Sequence, residues 1–162
     1  MISLIAAISE DGFISQDGRI PWKLPRDVRH FREYCAGKHV LVGRRTYDEM
    51  TGWFTNHRVF ILSRNAQTVV REGSVVQSVK EAKSQTPGEL VVLGGGEVFA
   101  LALPIADRLV LTRVHTKIGH GVAFPEIDFT QWEERDLQEF PADAENPLAM
   151  TISTLHRLPE SR

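Results

Sequence analysis

The order of apolar runs along this chain predicts an α/β fold on a largely parallel sheet, and three observations carry that expectation. β-rich runs recur at 2–8, 39–43, 58–63, 90–93, 108–115 and 149–156, with helical patterns at 26–36, 45–51, 78–84 and 96–103 between the earlier ones. The runs VLVG (40–43), VFILS (59–63) and VVL (91–93) are apolar without alternation, as strands covered on both faces are. The later runs have no helix between them, which predicts an antiparallel hairpin added to the sheet edge.

Taken in order, the first run opens the chain as a strand rather than as a secretion signal, because MISLIAAIS has no basic segment ahead of it. Residues 9–24 then form a long connection, SEDGFISQDGRIPWKL, broken by Gly12, Gly18 and Pro21. A structureless stretch of that length in a compact domain predicts a lid over a site. The helix at 26–36 follows, with Val28, Phe31 and Cys35 at i, i+3 and i+7 as its core-facing stripe. Asp27 stands on the edge of that stripe. A carboxylate at a helix start has a plain use as a cap. At the border of a buried face it has another, because desolvation raises its pKa and makes it a proton donor near neutrality.

Three strand-to-helix turns come next, and ligands of open α/β sheets gather at such carboxyl ends. Gly43-Arg44-Arg45-Thr46 offers close backbone approach, two guanidinium groups suited to phosphate, and a threonine to cap the next helix. Leu62-Ser63-Arg64 offers a hydroxyl and a cation suited to a ribose 2′-phosphate, favouring NADPH over NADH. Gly94-Gly95-Gly96-Glu97 places backbone alone before the helix at 96–103, whose N–H groups face a pyrophosphate. Each turn also has a plain reading as a permissive or solvated turn; together they predict a dinucleotide split over several strand ends. The sequence has neither a GxxxxGK[ST] loop nor a GxGxxG fingerprint after its first strand.

Bulk properties narrow the rest. The 162 residues suit one domain spanning 1–162. Nineteen Lys and Arg against 21 Asp and Glu leave a net charge of −2, so no basic field recruits nucleic acid or anionic membrane. No apolar run approaches a membrane span. The single cysteine, Cys35, excludes an internal disulfide and fits a reducing cytoplasm. The six histidines form no HxxxH or Cys/His pair, so no metal site is expected.

The blocks MISLIAA (1–7), PWKLPRD (21–27), VGRRTY (42–47), ILSR (61–64), LGGGEVF (93–99), LTRV (111–114) and FPEI (124–127) together resemble the chromosomal bacterial dihydrofolate reductases, nearly end to end and at matching spacing. The resemblance implies a central, mostly parallel eight-stranded sheet with an antiparallel C-terminal strand and four flanking helices. It implies NADPH-dependent reduction of 7,8-dihydrofolate, a cytoplasmic monomer, and antifolates such as trimethoprim and methotrexate as inhibitors. Asp27 would hold the pterin 2-amino group and N3 and promote protonation at N5 while hydride passes to C6. Thr112 would hydrogen-bond that carboxylate, and Trp22 would position a water near it. Ile5, Ala6, Ala7, Val28, Phe31, Leu93 and Phe99 would form apolar walls, with Met50 and Phe54 shaping the inhibitor pocket beside Val28. Cofactor contacts would come from Ala7, Ile14, Gly18, Ile20, Gly43, Arg44, Arg45, Thr46, Leu62, Ser63, Arg64, Gln77, Leu93, Gly94, Gly95, Gly96, Glu97, Val98 and Phe99. A cis peptide is implied between Gly94 and Gly95.

The sequence also departs from the family pattern. The family arginine that binds the α-carboxylate of the substrate's glutamate falls on His57 counted back from Ile61-Leu62-Ser63, and on Arg58 counted forward from Gly52. A largely neutral imidazole cannot replace a bidentate guanidinium, and Arg32 on the substrate helix is the other candidate anchor. Ile20, Ser15 and Gly121 differ from family lid and lid-contact residues. Three further readings stand beside dihydrofolate reduction: an untailed dihydropterin as substrate, the pyrimidine reduction of riboflavin synthesis, and a non-catalytic NADPH-binding module.

Overall fold

The computed structural model describes residues 1–15, 20–50, 52–54, 56–65 and 67–160. Gly18 of the expected cofactor contacts lies outside them. The main sheet has eight strands: β1 (Ile2–Ser9), β3 (His39–Gly43), β4 (Arg58–Leu62), β5 (Ser74–Val76), β6 (Leu90–Gly94), β7 (Arg108–Val114), β9 (Trp132–Phe140) and β10 (Met150–Arg157). Their order is β5-β4-β3-β6-β1-β7-β10-β9. All pairs from β5 to β7 are parallel, and β10 runs antiparallel to both β7 and β9. The short strands β2 (Phe13–Ser15) and β8 (Val122–Ala123) pair separately.

Four helices flank the sheet: α1 (Pro25–Cys35), α2 (Arg44–Glu49), α3 (Val79–Ser84) and α4 (Gly96–Ala102). Side chains alternate faces along each strand. Val40, Val42, Val59, Ile61, Val91 and Val110 face α1 and α2, packing with Cys35 and Tyr47. Leu4, Ile8, Leu41, Phe60, Val92 and Leu111 face the other way, against Val79 and Ala82 of α3 and Val98, Phe99 and Ala102 of α4. The central strands are therefore apolar on both faces, as their unbroken runs imply.

Four strands carry too weak a pattern to be read from sequence. β2, β5 and β8 have two or three residues each. β9, WEERDLQEF, is exposed over most of its length, which suits an edge strand with little to bury. Two helix expectations are also corrected. Thr46 caps nothing: β3 passes directly into α2, whose N-cap is Gly43, and Thr46 lies inside the helix. Val28 is 49% exposed although it shares the stripe of Cys35, which is fully buried. The first turn of α1 is thus open on the face that its last turn packs.

Candidate active site

The parallel strands β1, β3, β4, β5, β6 and β7 end at one edge of the sheet, and α1 begins there. Pro25 occupies the first turn of α1, where its missing N–H is no loss, and the N-cap is Leu24, with no side-chain cap. Asp27 is therefore not the cap, and its carboxyl group is free to turn inward. It is partly buried, and burial raises its pKa above the ordinary carboxylate value; hydrogen bonding by the Thr112 hydroxyl and the nearby His30 oppose the shift. Thr112 is 1% exposed and sits between Ala7 of β1 and Ile152 of β10.

Around this carboxyl group the α1 side of the sheet supplies Ile5, Ala7, Leu93 and Thr112. Trp22 and Leu24 close the β7–β10 side, packing on Val114, Met150 and Ile152. The Trp22 indole N–H is buried without a partner. On the other flank Phe31 meets Trp53 with ring centroids 5.2 Å apart, Trp53 packs edge-on to Phe54 at 5.3 Å, and His57 stacks on Trp53 at 4.5 Å. Met50 packs in the same cluster. Both ring nitrogens of His57 are buried, with no hydrogen bond of good geometry beyond a weak approach to the Cys35 carbonyl. That burial lowers its pKa, the Cys35 carbonyl opposing the shift.

Several expected contacts lie elsewhere. Arg58 begins β4 on the Phe60 face, its guanidinium 5.5 Å from that ring centroid, so the sheet separates it from Asp27. Ala6 projects to the α4 side, while Val98 and Phe99 belong to α4 and lie behind the glycine turns, Phe99 being 2% exposed and packed on Phe124 at 5.0 Å. Strand alternation explains Arg58 and Ala6, since a residue next to an inward-facing one points to the opposite layer, whereas Val98 and Phe99 stand on the sheet-facing side of α4. Arg32 is exposed on α1.

At the strand ends the glycine turns pack on one another. A Cβ on Gly43 would lie 3.1 Å from Val98 Cγ2, and one on Gly96 2.7 Å from Val122 Cγ1. The Gly94–Gly95 peptide is cis. Arg45, Arg64, Glu97 and Gln77 are exposed at this edge. Arg44 is exposed too and pairs with Asp48 at 3.3 Å. The Ser63 hydroxyl binds Thr68 Oγ1 at 2.8 Å and receives the Asn65 N–H, so it also orders its own turn. Leu62 and Ile14 are partly buried and Ile20 is 66% exposed.

The base of the 9–24 connection is tied down by a residue that sequence reading passed over. Asp11 accepts the Ser9 hydroxyl at 2.6 Å and the backbone N–H groups of Ile118 at 3.1 Å and Gly119 at 2.7 Å, which lower its pKa to about 2. Glu10 N–H also donates to the Thr116 carbonyl, and Phe124 N–H to that of Gly12. The Asp11-Gly12 pair carries only a turn signal in sequence. Its backbone donors Ile118 and Gly119 lie more than a hundred residues away.

Comparison with known proteins gives one consistent answer. The family model described as dihydrofolate reductase matches residues 1–157. "Dihydrofolate reductase type 3" of Salmonella typhimurium is 36% identical over 159 residues, covering 97% of this chain and 98% of its own. A dihydrofolate reductase of Mycobacterium tuberculosis is 42% identical over 117 residues, covering 70% of this chain and 71% of its own. A solved dihydrofolate reductase from Enterococcus faecalis, complexed with NADP(H) and RAB-propyl, superposes with a TM-score of 0.90 at 30% identity, covering 98% of this chain and 97% of its own.

Proposed function

This chain belongs to the dihydrofolate reductase family, and on that premise we propose that it reduces 7,8-dihydrofolate to 5,6,7,8-tetrahydrofolate with NADPH, hydride going to C6 and a proton to N5. The observation that carries the reading is the Asp27 carboxyl group: partly buried, raised in pKa, not used as a cap, and backed by a buried threonine. The pterin edge presents the N–H of N3 and the 2-amino group side by side, and a carboxylate is the matching acceptor for both.

The strand-end turns fit the cofactor's chemistry. Gly43 and Gly96 stand where side chains would collide with neighbouring segments, leaving backbone at the surface. Arg44, Arg45 and Arg64 are exposed along the same edge, with donors for a pyrophosphate and a 2′-phosphate. NADPH, when bound, supplies the hydride. Asp27 then holds the pterin, and its raised pKa keeps a proton source within reach of N5 near neutrality. Trp22, with a buried unpartnered N–H, is placed to orient a water that relays the proton, and Thr112 keeps the carboxyl group aimed. Ile5, Ala7, Leu93, Val28 and Phe31 supply the apolar walls that exclude bulk water.

Mixing the purified protein with NADPH and dihydrofolate and following loss of the reduced nicotinamide tests this reading. Turnover that requires both reactants, and that falls sharply with NADH in place of NADPH, is the expected result. No turnover of dihydrofolate overturns it. A cytoplasmic setting is part of the proposal, supported by a lone Cys35 whose buried thiol is pushed up to about 12 and is correspondingly inert. Among the described residues no helix is long and apolar enough to cross a membrane. The protein is proposed to act as a monomer, which sedimentation can check.

A further inference from the structure

We infer that the site accepts 7,8-dihydropteroate, which lacks the glutamate tail, almost as well as dihydrofolate, because Asp27 holds the pterin while an aromatic wall ending in His57, and no fixed cation among the described residues, meets the tail. The inference rests on the dihydrofolate reading above and widens its substrate class.

Dihydrofolate is a pterin joined to an aminobenzoyl group and then to a glutamate with two carboxylates. A site that selects for those carboxylates needs a cation held in place, best a guanidinium whose fork matches the carboxylate. Leading away from Asp27, the wall runs from Phe31, tilted against Trp53 at 5.2 Å, to His57, stacked on Trp53 at 4.5 Å. That surface suits the flat benzoyl group. Its terminal residue does not suit a carboxylate: desolvation keeps the imidazole neutral, and its nitrogens are buried. The cations that the chain brings nearest are placed for other work. Arg58 lies across the sheet over Phe60. Lys38 pairs with Glu89 at 3.0 Å and covers the Tyr34 ring at 3.7 Å. Arg32 is exposed on α1, where pairing with a solvated carboxylate adds little.

The reaction itself does not involve the tail. Hydride passes from NADPH to C6 and a proton to N5, giving NADP⁺ and the tetrahydropterin, whatever substituent C6 carries. The missing glutamate therefore changes binding alone.

The test compares kcat/KM of the full-length protein, with NADPH, for dihydrofolate, 7,8-dihydropteroate and 6-methyl-7,8-dihydropterin. Dihydropteroate lacks only the glutamate and is expected within about 3-fold of dihydrofolate, whereas a fixed charge-assisted contact would separate them by roughly 10- to 150-fold. The 6-methyl compound also loses the benzoyl stacking and should fall further, through KM. His57→Arg installs the missing cation and should widen the dihydrofolate preference by about 10-fold or more, through KM. A preference for dihydrofolate over dihydropteroate above roughly 10-fold in the unmodified protein overturns the inference, as does a His57→Arg ratio equal to the parent's. If that variant does not fold, the unmodified protein decides alone. Turnover of dihydropteroate without dihydrofolate supports the inference while overturning the function proposed above; turnover of none of the three overturns both.

Discussion

Thr112, buried in β7, turns its hydroxyl to the Asp27 carboxyl group in the first turn of α1, joining an interior strand to the helix that borders the site. A hydroxyl donating to a carboxylate favours the charged form and so pulls against the rise that burial causes. In Thr112→Val the shape is kept and the donor is lost, so the Asp27 pKa should move up. The alkaline limb of the pH–rate profile should shift to higher pH, while the plateau of kcat below that limb falls by roughly 10-fold because the carboxyl group is no longer held in aim.

Asp27→Asn separates activity from stability. Turnover at neutral pH should fall by about 10² to 10⁴, with partial recovery in acid as the substrate preprotonates. The stability effect has the opposite sign. A carboxyl group whose folded pKa is raised stabilises the fold below its unfolded value, near 3.8, and that contribution is lost as pH rises through the folded value. At neutral pH the asparagine protein should melt higher, and the gain should vanish on titration toward the unfolded value. Thermal melts of both proteins across this range check the sign.

Asp11→Asn should loosen the lid base. The variant offers donors where Ile118 and Gly119 also donate, so amide hydrogen exchange at both positions should quicken by about 10-fold or more, the local opening becoming easier. In the parent the pKa near 2 sets the window: the support Asp11 gives is complete above its ordinary 3.8 and is lost as pH falls toward 2. Exchange at these two amides should therefore rise selectively in that acid interval.

Gly96→Ala drives a methyl group to 2.7 Å from Val122 Cγ1 and 3.2 Å from the Ala123 carbonyl. Overpacking of this kind costs about 1–3 kcal/mol, to be read from denaturant midpoints. Because the closer contact is a side chain, Val122→Ala should restore part of the loss, and the double-mutant cycle should show coupling above about 0.5 kcal/mol. Two glycine-turn partners far apart in sequence would then be linked energetically.

The sequence announces some of this more clearly than the rest. The central strands were legible because they are apolar on both faces, and the strand-end turns because glycine and arginine cluster where strands stop. Asp27 stands out from its place on the edge of the helix stripe, and Thr112 only as a member of LTRV, since neither reveals its partner locally. β9 escaped notice because an exposed edge has no apolar pattern to show. The His57 and Arg58 ambiguity could not be settled by counting residues. The structure sends Arg58 of β4 over Phe60, on the face away from Asp27, while His57, just ahead of the strand, stacks on Trp53 on the Asp27 side. Asp11 was invisible for a related reason: besides the Ser9 hydroxyl, its donors are backbone groups of a distant loop, and backbone donors have no signature in a sequence.

The outer strand β9 carries Glu133, Glu134, Arg135 and Asp136 in succession, with Asp136 in the left-handed region where the register with β10 shifts. Charges and a bulge on an open edge make it a poor template for another molecule's strand. The apolar interior is thereby guarded against aggregation at the flank where antiparallel pairing would otherwise continue. Replacing these charges with threonine and valine would be expected to leave the fold recognisable in dilute solution and to turn the concentrated protein into fibrous or amorphous precipitate.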